Sequence, residues 1–325
     1  MKITVLGAGG WGTALARLLS LGGSRITIWG RDRLHLEEMQ RLRANAKYLP
    51  GIQLPDDWKF EPDLRTSVAG AEAVVIAVPS KVFREVTAGL DHCEATAVSV
   101  TKGIEHVTGL TMSAVMQNTM PRATHAVLSG PNIAPEIARG IPAATVVASA
   151  DLGTAERVQQ LFHRPSFRVY TSTDVKGVEL GGALKNVIAL AAGMCDGLGF
   201  GDNTKAALLT RAIVEMRRLG VACGAQPETF SGLSGLGDLT VTCFSRLSRN
   251  RAFGERLAKG ESVEQVLSST PTVAEGYPTA KAAAELGRKL RIDVPIIDEV
   301  HAVLYEKKDI ARAIRDLTAR ESKPE

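Results

Sequence analysis

The four cysteines, Cys93, Cys195, Cys223 and Cys243, lie far apart with no CxxC pair among them. That excludes a disulfide framework and the usual zinc spacing, and a reducing cytoplasm is the expected compartment. Charge of one sign is also scarce: 39 basic against 35 acidic residues leave a formal net charge of +4. So small an excess without a basic stripe argues against nucleic-acid binding, while it suits small anionic ligands. No apolar run reaches the roughly 20 residues a membrane span needs, because the longest candidate, Leu180 to Cys195, is interrupted by Lys185 and Asn186. No membrane contact is expected. Met1 to Gly7 reads as a strand entering a glycine loop and leaves no room for a cleavable signal peptide. Internal repeats and low-complexity stretches are lacking, and the six histidines fall outside every strong motif.

What is present is an ordinary globular composition, 45% hydrophobic and 23% charged over 325 residues, long enough for two domains. Short β-branched runs alternate with helical stretches as far as Ser172: Ile3 to Leu6, Ile26 to Trp29, Ala73 to Val78, Thr96 to Thr101, Ala126 to Ser129, Ala144 to Ala148 and Phe167 to Tyr170. Nearly continuous apolar strands between helices predict βαβ units around a mostly parallel sheet. Beyond Thr173 helical patterns take over, among them Asn203 to Leu219 closed by Gly220 and Arg251 to Lys259 closed by Gly260. The expectation is an α/β Rossmann-type N-terminal domain over residues 1–173, followed by a mainly α-helical domain over 174–325. The tail Glu321 to Glu325 is expected to fray.

Gly7-Ala8-Gly9-Gly10-Trp11-Gly12 matches GxGxxG between the strand Ile3 to Leu6 and the helical run Thr13 to Leu21. Gly7, Gly9 and Gly12 serve a tight turn, close approach to a pyrophosphate and helix packing, and the helix N-terminus faces negative charge. A nicotinamide dinucleotide, NAD or NADP, is therefore expected. The second strand ends Trp29-Gly30-Arg31-Asp32, offering both an acid for the NAD ribose and an arginine for the NADP phosphate; Arg31 tips the expectation toward NADP.

Within Leu180 to Cys195 the strongly polar side chains are Lys185 and Asn186. A helix apolar on nearly all faces belongs in an interior, where desolvation lowers a lysine pKa toward neutrality and makes the amine a proton donor and acceptor. The alternatives are that Lys185 snorkels to the surface or pairs with an acid. The segment Gly232-Leu-Ser-Gly-Leu-Gly-Asp238 reads as a loop delivering one carboxylate, Asp238, which could position or tune the lysine. Ser248-Arg249-Asn250-Arg251 opens a helix, combining its N-terminus with guanidinium groups in a pattern suited to a phosphate dianion.

Together these motifs resemble glycerol-3-phosphate dehydrogenases of the bacterial NAD(P)-dependent type. The resemblance is carried, in order along nearly the whole chain, by GAGGWGTALA from Gly7, TKGIE from Thr101, SGPNIAPE from Ser129, ALKNVIALAAGMCDGLGFGDNTKAALLTR from Ala183, GLSGLGDLTVTC from Gly232, SRNR from Ser248 and VAEG from Val273. It implies hydride transfer between the nicotinamide and dihydroxyacetone phosphate, giving sn-glycerol 3-phosphate for phospholipid synthesis, in a cytoplasmic homodimer. It implies Lys185 as the general acid/base, and Lys102, Gly130, Asn132, Lys185, Asp238, Ser248, Arg249 and Asn250 around a small phosphorylated substrate. On the cofactor side it implies Gly10, Trp11, Arg31, Tyr48, Lys102, Ala134, Arg249, Val273 and Glu275. Gly10 and Asn132 stand where the family usually carries serine, so hydroxyl contacts there are lost. No metal is expected, since an ammonium can polarise the carbonyl.

Two rival readings remain. A dehydrogenase acting on a hydroxy acid would need no dianion site, against which the Ser248 to Arg251 cluster counts. A redox-sensing regulator that binds dinucleotide would lack the interior lysine or carry a nucleic-acid motif, and neither is seen.

Overall fold

The described residues form ten strands, most of them runs rich in Ile, Val, Ala and Thr: β1 (Lys2–Leu6), β2 (Arg25–Trp29), β3 (Ala44–Asn45), β4 (Leu49–Gln53), β5 (Lys59–Glu61), β6 (Ala73–Ile76), β7 (Thr96–Ser99), β8 (Thr124–Ser129), β9 (Ala143–Ala148) and β10 (Phe167–Ser172). The computed structural model describes residues 1–269 and 274–320. Eight strands form one sheet in the order β10-β9-β8-β7-β6-β1-β2-β5, and β3 with β4 makes a separate antiparallel hairpin. All neighbours in the large sheet are parallel except β8 and β9, where Val127 pairs with Ala148. Strand β1 pairs with β2 on one side and β6 on the other. The chain order therefore reverses at its carboxyl end, the place where open α/β sheets bind ligands.

The chain divides into two compact units. The first comprises Met1–Lys102 and Thr111–Glu179, and the second Gly103–Leu110 with the residues from Leu180 onward. The first unit is the Rossmann-type α/β part. Its core is formed by alternating side chains such as Ile3, Val5, Ile26, Ile28, Val75 and Val98 together with Leu15, Leu19 and Phe162 from covering helices. Each such burial contributes roughly 1.5–3 kcal/mol.

From Leu180 onward the regular elements among the described residues are all helical. The axis of the second unit is the helix Val175–Gly197, whose residues from Leu180 run through a core shared with Leu209, Met216, Phe230, Phe253, Ala283 and Ile297. This helix is long and apolar enough to cross a membrane, with mean hydropathy 1.3, yet 94% of its apolar window is buried inside the chain. It is a core helix by that measure.

Several boundaries differ from the sequence expectation for packing reasons. The units divide inside the long helix, at Glu179 and Leu180, beyond the expected residue 173. Val175 and Val178 belong to the first unit because they cover Val127, Val146 and Ala148 of β8 and β9. Gly103–Leu110 joins the helical unit because Ile104, 1% exposed, is part of that unit's core. Strand β5 and the β3–β4 hairpin were not anticipated; their mixed polar composition lacks the apolar run that marks a central strand. Gly220 does not close its helix, which runs Asp202–Ala222. A Cβ at Gly220 would lie 2.0 Å from Phe230 Cζ, so this glycine is a seat for an aromatic ring. Gly260, at φ +96°, does follow the end of the helix Arg249–Ala258. The segment expected as a loop before Asp238 is a π-helical turn, Leu233–Gly237, leading into the helix Asp238–Phe244.

Glu215 makes the fold pH-sensitive. It is 3% exposed and accepts the amides of Ile296 (3.0 Å) and Ile297 (2.8 Å) at the start of the helix Pro295–Tyr305. Burial pushes its carboxyl from 4.5 up to about 7, against the pull of those two amides. A carboxyl raised in the folded state stabilises the fold fully below its ordinary value, and that contribution is lost as pH rises through about 7. Relative to a Glu215→Gln variant, the wild-type chain should lose roughly 2–3 kcal/mol of stability between pH 5 and pH 8. Urea unfolding of both proteins at the two pH values checks this; an unchanged difference would contradict it.

Candidate active site

The turn after β1 is shaped by what its glycines leave out. Gly7, at φ +123°, would bring a Cβ within 2.6 Å of Ala77 O, and a Cβ on Gly12 would sit 2.1 Å from Gly7 O. Above Gly9 there is open space, with no atom within 4 Å of a Cβ position. Gly9 caps the helix Gly10–Ser20 without a side-chain bond, and no acidic residue stands in its first turn. Backbone N–H groups at a helix start, open space and the absence of competing carboxylates together fit an anionic pyrophosphate. Trp11 adds a buried indole Nε1–H that finds no hydrogen-bond partner among the described residues.

The β3–β4 hairpin braces this turn. Asn45, fully buried, donates to Ala8 O (2.9 Å) and Thr13 Oγ1 (2.8 Å) and accepts from Tyr48 N (3.2 Å). Tyr48 meets His35 edge-on, with centroids 5.2 Å apart. A Cβ on Gly10 would lie 2.5 Å from the Tyr48 carbonyl oxygen, so the hairpin sits where a larger residue at position 10 would intrude. Gly10→Ser, although it restores the residue usual in the resembling family, is expected to cost about 1–3 kcal/mol and to weaken dinucleotide binding. Thermal unfolding and NAD(P)H titration check this, and an unchanged Tm with unchanged affinity would refute the clash.

The other cofactor candidates of this unit are spread around the sheet. Arg31, just past β2, is exposed, with Glu85 Oε1 3.9 Å away. Asp32, the competing acid, is occupied as the N-cap of the helix Arg33–Leu42, accepting from His35 N at 3.1 Å. Ala134 packs with Trp11 against the small cluster Ala14, Leu49 and Ala138. Among the substrate candidates, Lys102 Nζ donates to Gly130 O at 2.8 Å. Gly130 lies against β9, where a Cβ would meet Thr145 Cα at 2.9 Å. Asn132 is tied to the same strand, its Oδ1 accepting from Thr145 Oγ1 at 3.1 Å. Lys102, Gly130 and Asn132 thus form one group at the carboxyl ends of β7 and β8.

In the helical unit Lys185 is 6% exposed, and its ammonium has partners. Nζ donates to Asp238 Oδ1 at 2.6 Å and to Thr242 Oγ1 at 2.7 Å. Asp238 is fully buried, and Thr242 Oγ1 returns a bond to Asp238 O at 2.6 Å. The interior expected for the amine is there, together with a carboxylate that balances its charge. Thr242 was missed in the sequence: the i, i+4 spacing from Asp238 was the available signal, hidden because 232–238 read as a loop.

Next along the lysine helix, Asn186 Oδ1 accepts from Asn250 Nδ2 at 2.9 Å, and Asn250 Oδ1 accepts from Gly276 N at 2.9 Å. Asn186 was noticed only as an interruption of the apolar run, yet it docks the helix Arg249–Ala258. Ser248 is that helix's N-cap, its Oγ accepting from Arg251 N at 3.2 Å. Arg249 is exposed to solvent; desolvation by the surrounding protein lowers its pKa from the ordinary guanidinium value, and the charge of Glu275 opposes the shift. Glu275 precedes the helix Gly276–Leu290. Val273 lies outside the described residues.

A backbone cradle for a dinucleotide on a switched parallel sheet, in a chain that also holds a carboxylate-paired lysine in a helical interior, defines a nicotinamide-dependent dehydrogenase. Residues 2–155 match the family described as NAD-dependent glycerol-3-phosphate dehydrogenase N-terminus, and residues 174–315 match its C-terminus. The chain belongs to the NAD-dependent glycerol-3-phosphate dehydrogenase family. It is 47% identical to the "Glycerol-3-phosphate dehydrogenase [NAD(P)+]" of Chlorobium phaeobacteroides strain BS1, covering 100% of this chain and 99% of the relative. It is also 47% identical to the protein of that name from Geobacter metallireducens, covering 100% and 98%. The crystal structure of glycerol-3-phosphate dehydrogenase from Coxiella burnetii superposes with a TM-score of 0.95 at 36% identity, covering 98% of this chain and 99% of that one.

Proposed function

We propose that this chain interconverts dihydroxyacetone phosphate and sn-glycerol 3-phosphate, using NADH or NADPH. The observation that carries the reading is the Lys185 ammonium held in the helical interior by Asp238 and Thr242. Bound nicotinamide supplies the hydride, which adds to the central carbon of the ketone. As that carbonyl π bond breaks, Lys185 Nζ gives a proton to the forming alkoxide; in the oxidative direction the amine takes it back. Asp238 holds the ammonium in place and Thr242 fixes its direction. The phosphate dianion falls to Arg249, with Ser248 and Asn250 at the same helix start. Lys102, Gly130 and Asn132 complete the set of residues assigned to the substrate.

The dinucleotide is assigned to the glycine turn Gly7 to Gly12 and to Trp11, Arg31, Tyr48, Lys102, Ala134, Arg249, Val273 and Glu275. Arg31 is assigned to the 2′-phosphate, and the engagement of Asp32 in capping supports a preference for NADPH. The four free cysteines support a reducing cytoplasm. The reading further assigns the product to phospholipid synthesis and the active form to a homodimer, which light scattering after size exclusion checks.

The test is to mix purified protein with NADH and, separately, NADPH, then add dihydroxyacetone phosphate, dihydroxyacetone or pyruvate while following loss of reduced-cofactor absorbance. The expected result is rapid turnover only with the phosphorylated ketone, faster with NADPH. Turnover with pyruvate but not with the phosphorylated ketone would refute the assignment.

A further inference from the structure

The helix Arg249–Ala258 rests on the lysine helix along a seam of glycines. A Cβ on Gly193 would lie 1.9 Å from Arg251 O, and one on Gly254 would lie 2.0 Å from Leu190 O. At those two points backbone meets backbone, while Phe253 and Leu257 of the same helix pack into the core that also holds Leu190 and Met194. Polar ties add to that packing in setting the register. One is the Asn186–Asn250 bond. The other is Asp196, about three turns beyond Lys185 on the same helix. Its Oδ1 lies 2.5 Å from Lys205 Nζ, and its Oδ2 lies 2.5 Å from Arg251 Nε, the latter a contact of opposite charges without hydrogen-bond alignment. These side chains are 14% (Asp196), 14% (Arg251) and 10% (Lys205) exposed, so the pairs are little screened by solvent. Arg251 NH1 also lies 3.3 Å from Glu255 Oε2, within its own helix.

We propose that Asp196 is a positioning residue that selects substrates by the spacing between their ketone and their phosphate. By pairing with Arg251 it pins the first turn of the helix that presents Arg249, two residues away, at a set distance along the lysine helix from Lys185. The inference rests on the reading of Lys185 as proton donor and Arg249 as phosphate ligand. Asp196 touches neither group and acts through the register of two helices. Without its charge, Lys205 and Arg251 lose their shared counter-charge, and the start of the helix Arg249–Ala258 loses one of its two polar ties to the lysine helix. A misplacement of about 1 Å can cost as much as ~10²-fold in rate.

The test compares full-length wild type, Asp196→Asn, Asp196→Glu and Arg251→Gln, using NADPH with dihydroxyacetone phosphate and with unphosphorylated dihydroxyacetone. For Asp196→Asn the KM for the phosphorylated ketone should rise about tenfold or more, while kcat/KM for the unphosphorylated one and the Kd for NADPH stay within about twofold. Asp196→Glu should recover most of the loss, and Arg251→Gln should reproduce the pattern, which keeps the question open to decision if Asp196→Asn fails to fold. A merely structural role would lower both substrates together in proportion to the folded fraction, and that result, or an unchanged KM, would overturn the proposal. Arg249→Ala, run alongside, separates the failures. If it too treats both ketones alike, the phosphate reading has failed; if it discriminates and the Asp196 and Arg251 variants do not, only this inference has.

Discussion

Lys185→Ala is expected to cut turnover of dihydroxyacetone phosphate by roughly 10²–10⁴, the usual worth of a positioned general acid, with little change in affinity for NAD(P)H. The size of the effect follows from the surroundings of the amine. Lys185 itself is 6% exposed, so its amine is largely withdrawn from water. The ammonium is aimed by bonds of 2.6 and 2.7 Å to Asp238 and Thr242. The same substitution strands the fully buried Asp238 carboxylate, and breaking a buried pair on one side costs about 3–5 kcal/mol. Stability and chemistry are separated by the paired variant Lys185→Met with Asp238→Asn, which removes both charges. It should regain much of the lost Tm and none of the turnover. Near-wild-type turnover in a folded Lys185→Ala protein would refute the role.

Arg249→Ala should lower kcat/KM for dihydroxyacetone phosphate by about 10–10²-fold, chiefly through KM, since hydrogen bonds to charged groups are worth about 1.5–3 kcal/mol. Arg249 follows a serine N-cap and shares the first helical turn with Asn250, where backbone N–H groups lack intrahelical acceptors. Steady-state kinetics with phosphorylated and unphosphorylated ketones isolates the phosphate. The variant should lose most of the preference between them; retention of the wild-type preference would remove Arg249 from the phosphate subsite.

The central sheet was legible because strands buried on both faces write continuous apolar runs, as β1, β2 and β6 to β9 largely do, while β10 at one edge shows the alternation of a half-buried strand. Strand β5 pairs only with β2 at the sheet edge, and β3 with β4 forms a short two-stranded hairpin, so neither carries that signature. Periodicity also fails where one side chain decides. Ile104 alone gives Gly103–Leu110 an anchor in the helical core, and Phe230 alone turns Gly220 from a helix stop into a packing surface.

Lys185 stood out because a charge in an apolar helix is conspicuous. Thr242 and Asn186 did not, since a hydroxyl and an amide are ordinary in any context until their partners are known. Arg251 was noticed as part of the Ser248 to Arg251 cluster, but its pairing with Asp196 was not, being a property of two helices distant in sequence. The antiparallel β8–β9 pair is a topological choice that local pattern does not encode.

The most direct measurement is a crystal structure of the chain with reduced dinucleotide and dihydroxyacetone phosphate. Lys185 Nζ is predicted to lie about 2.6–3.2 Å from the ketone oxygen. A well-ordered ketone whose oxygen is bonded to some other donor, with the Lys185 amine out of reach, would contradict the account.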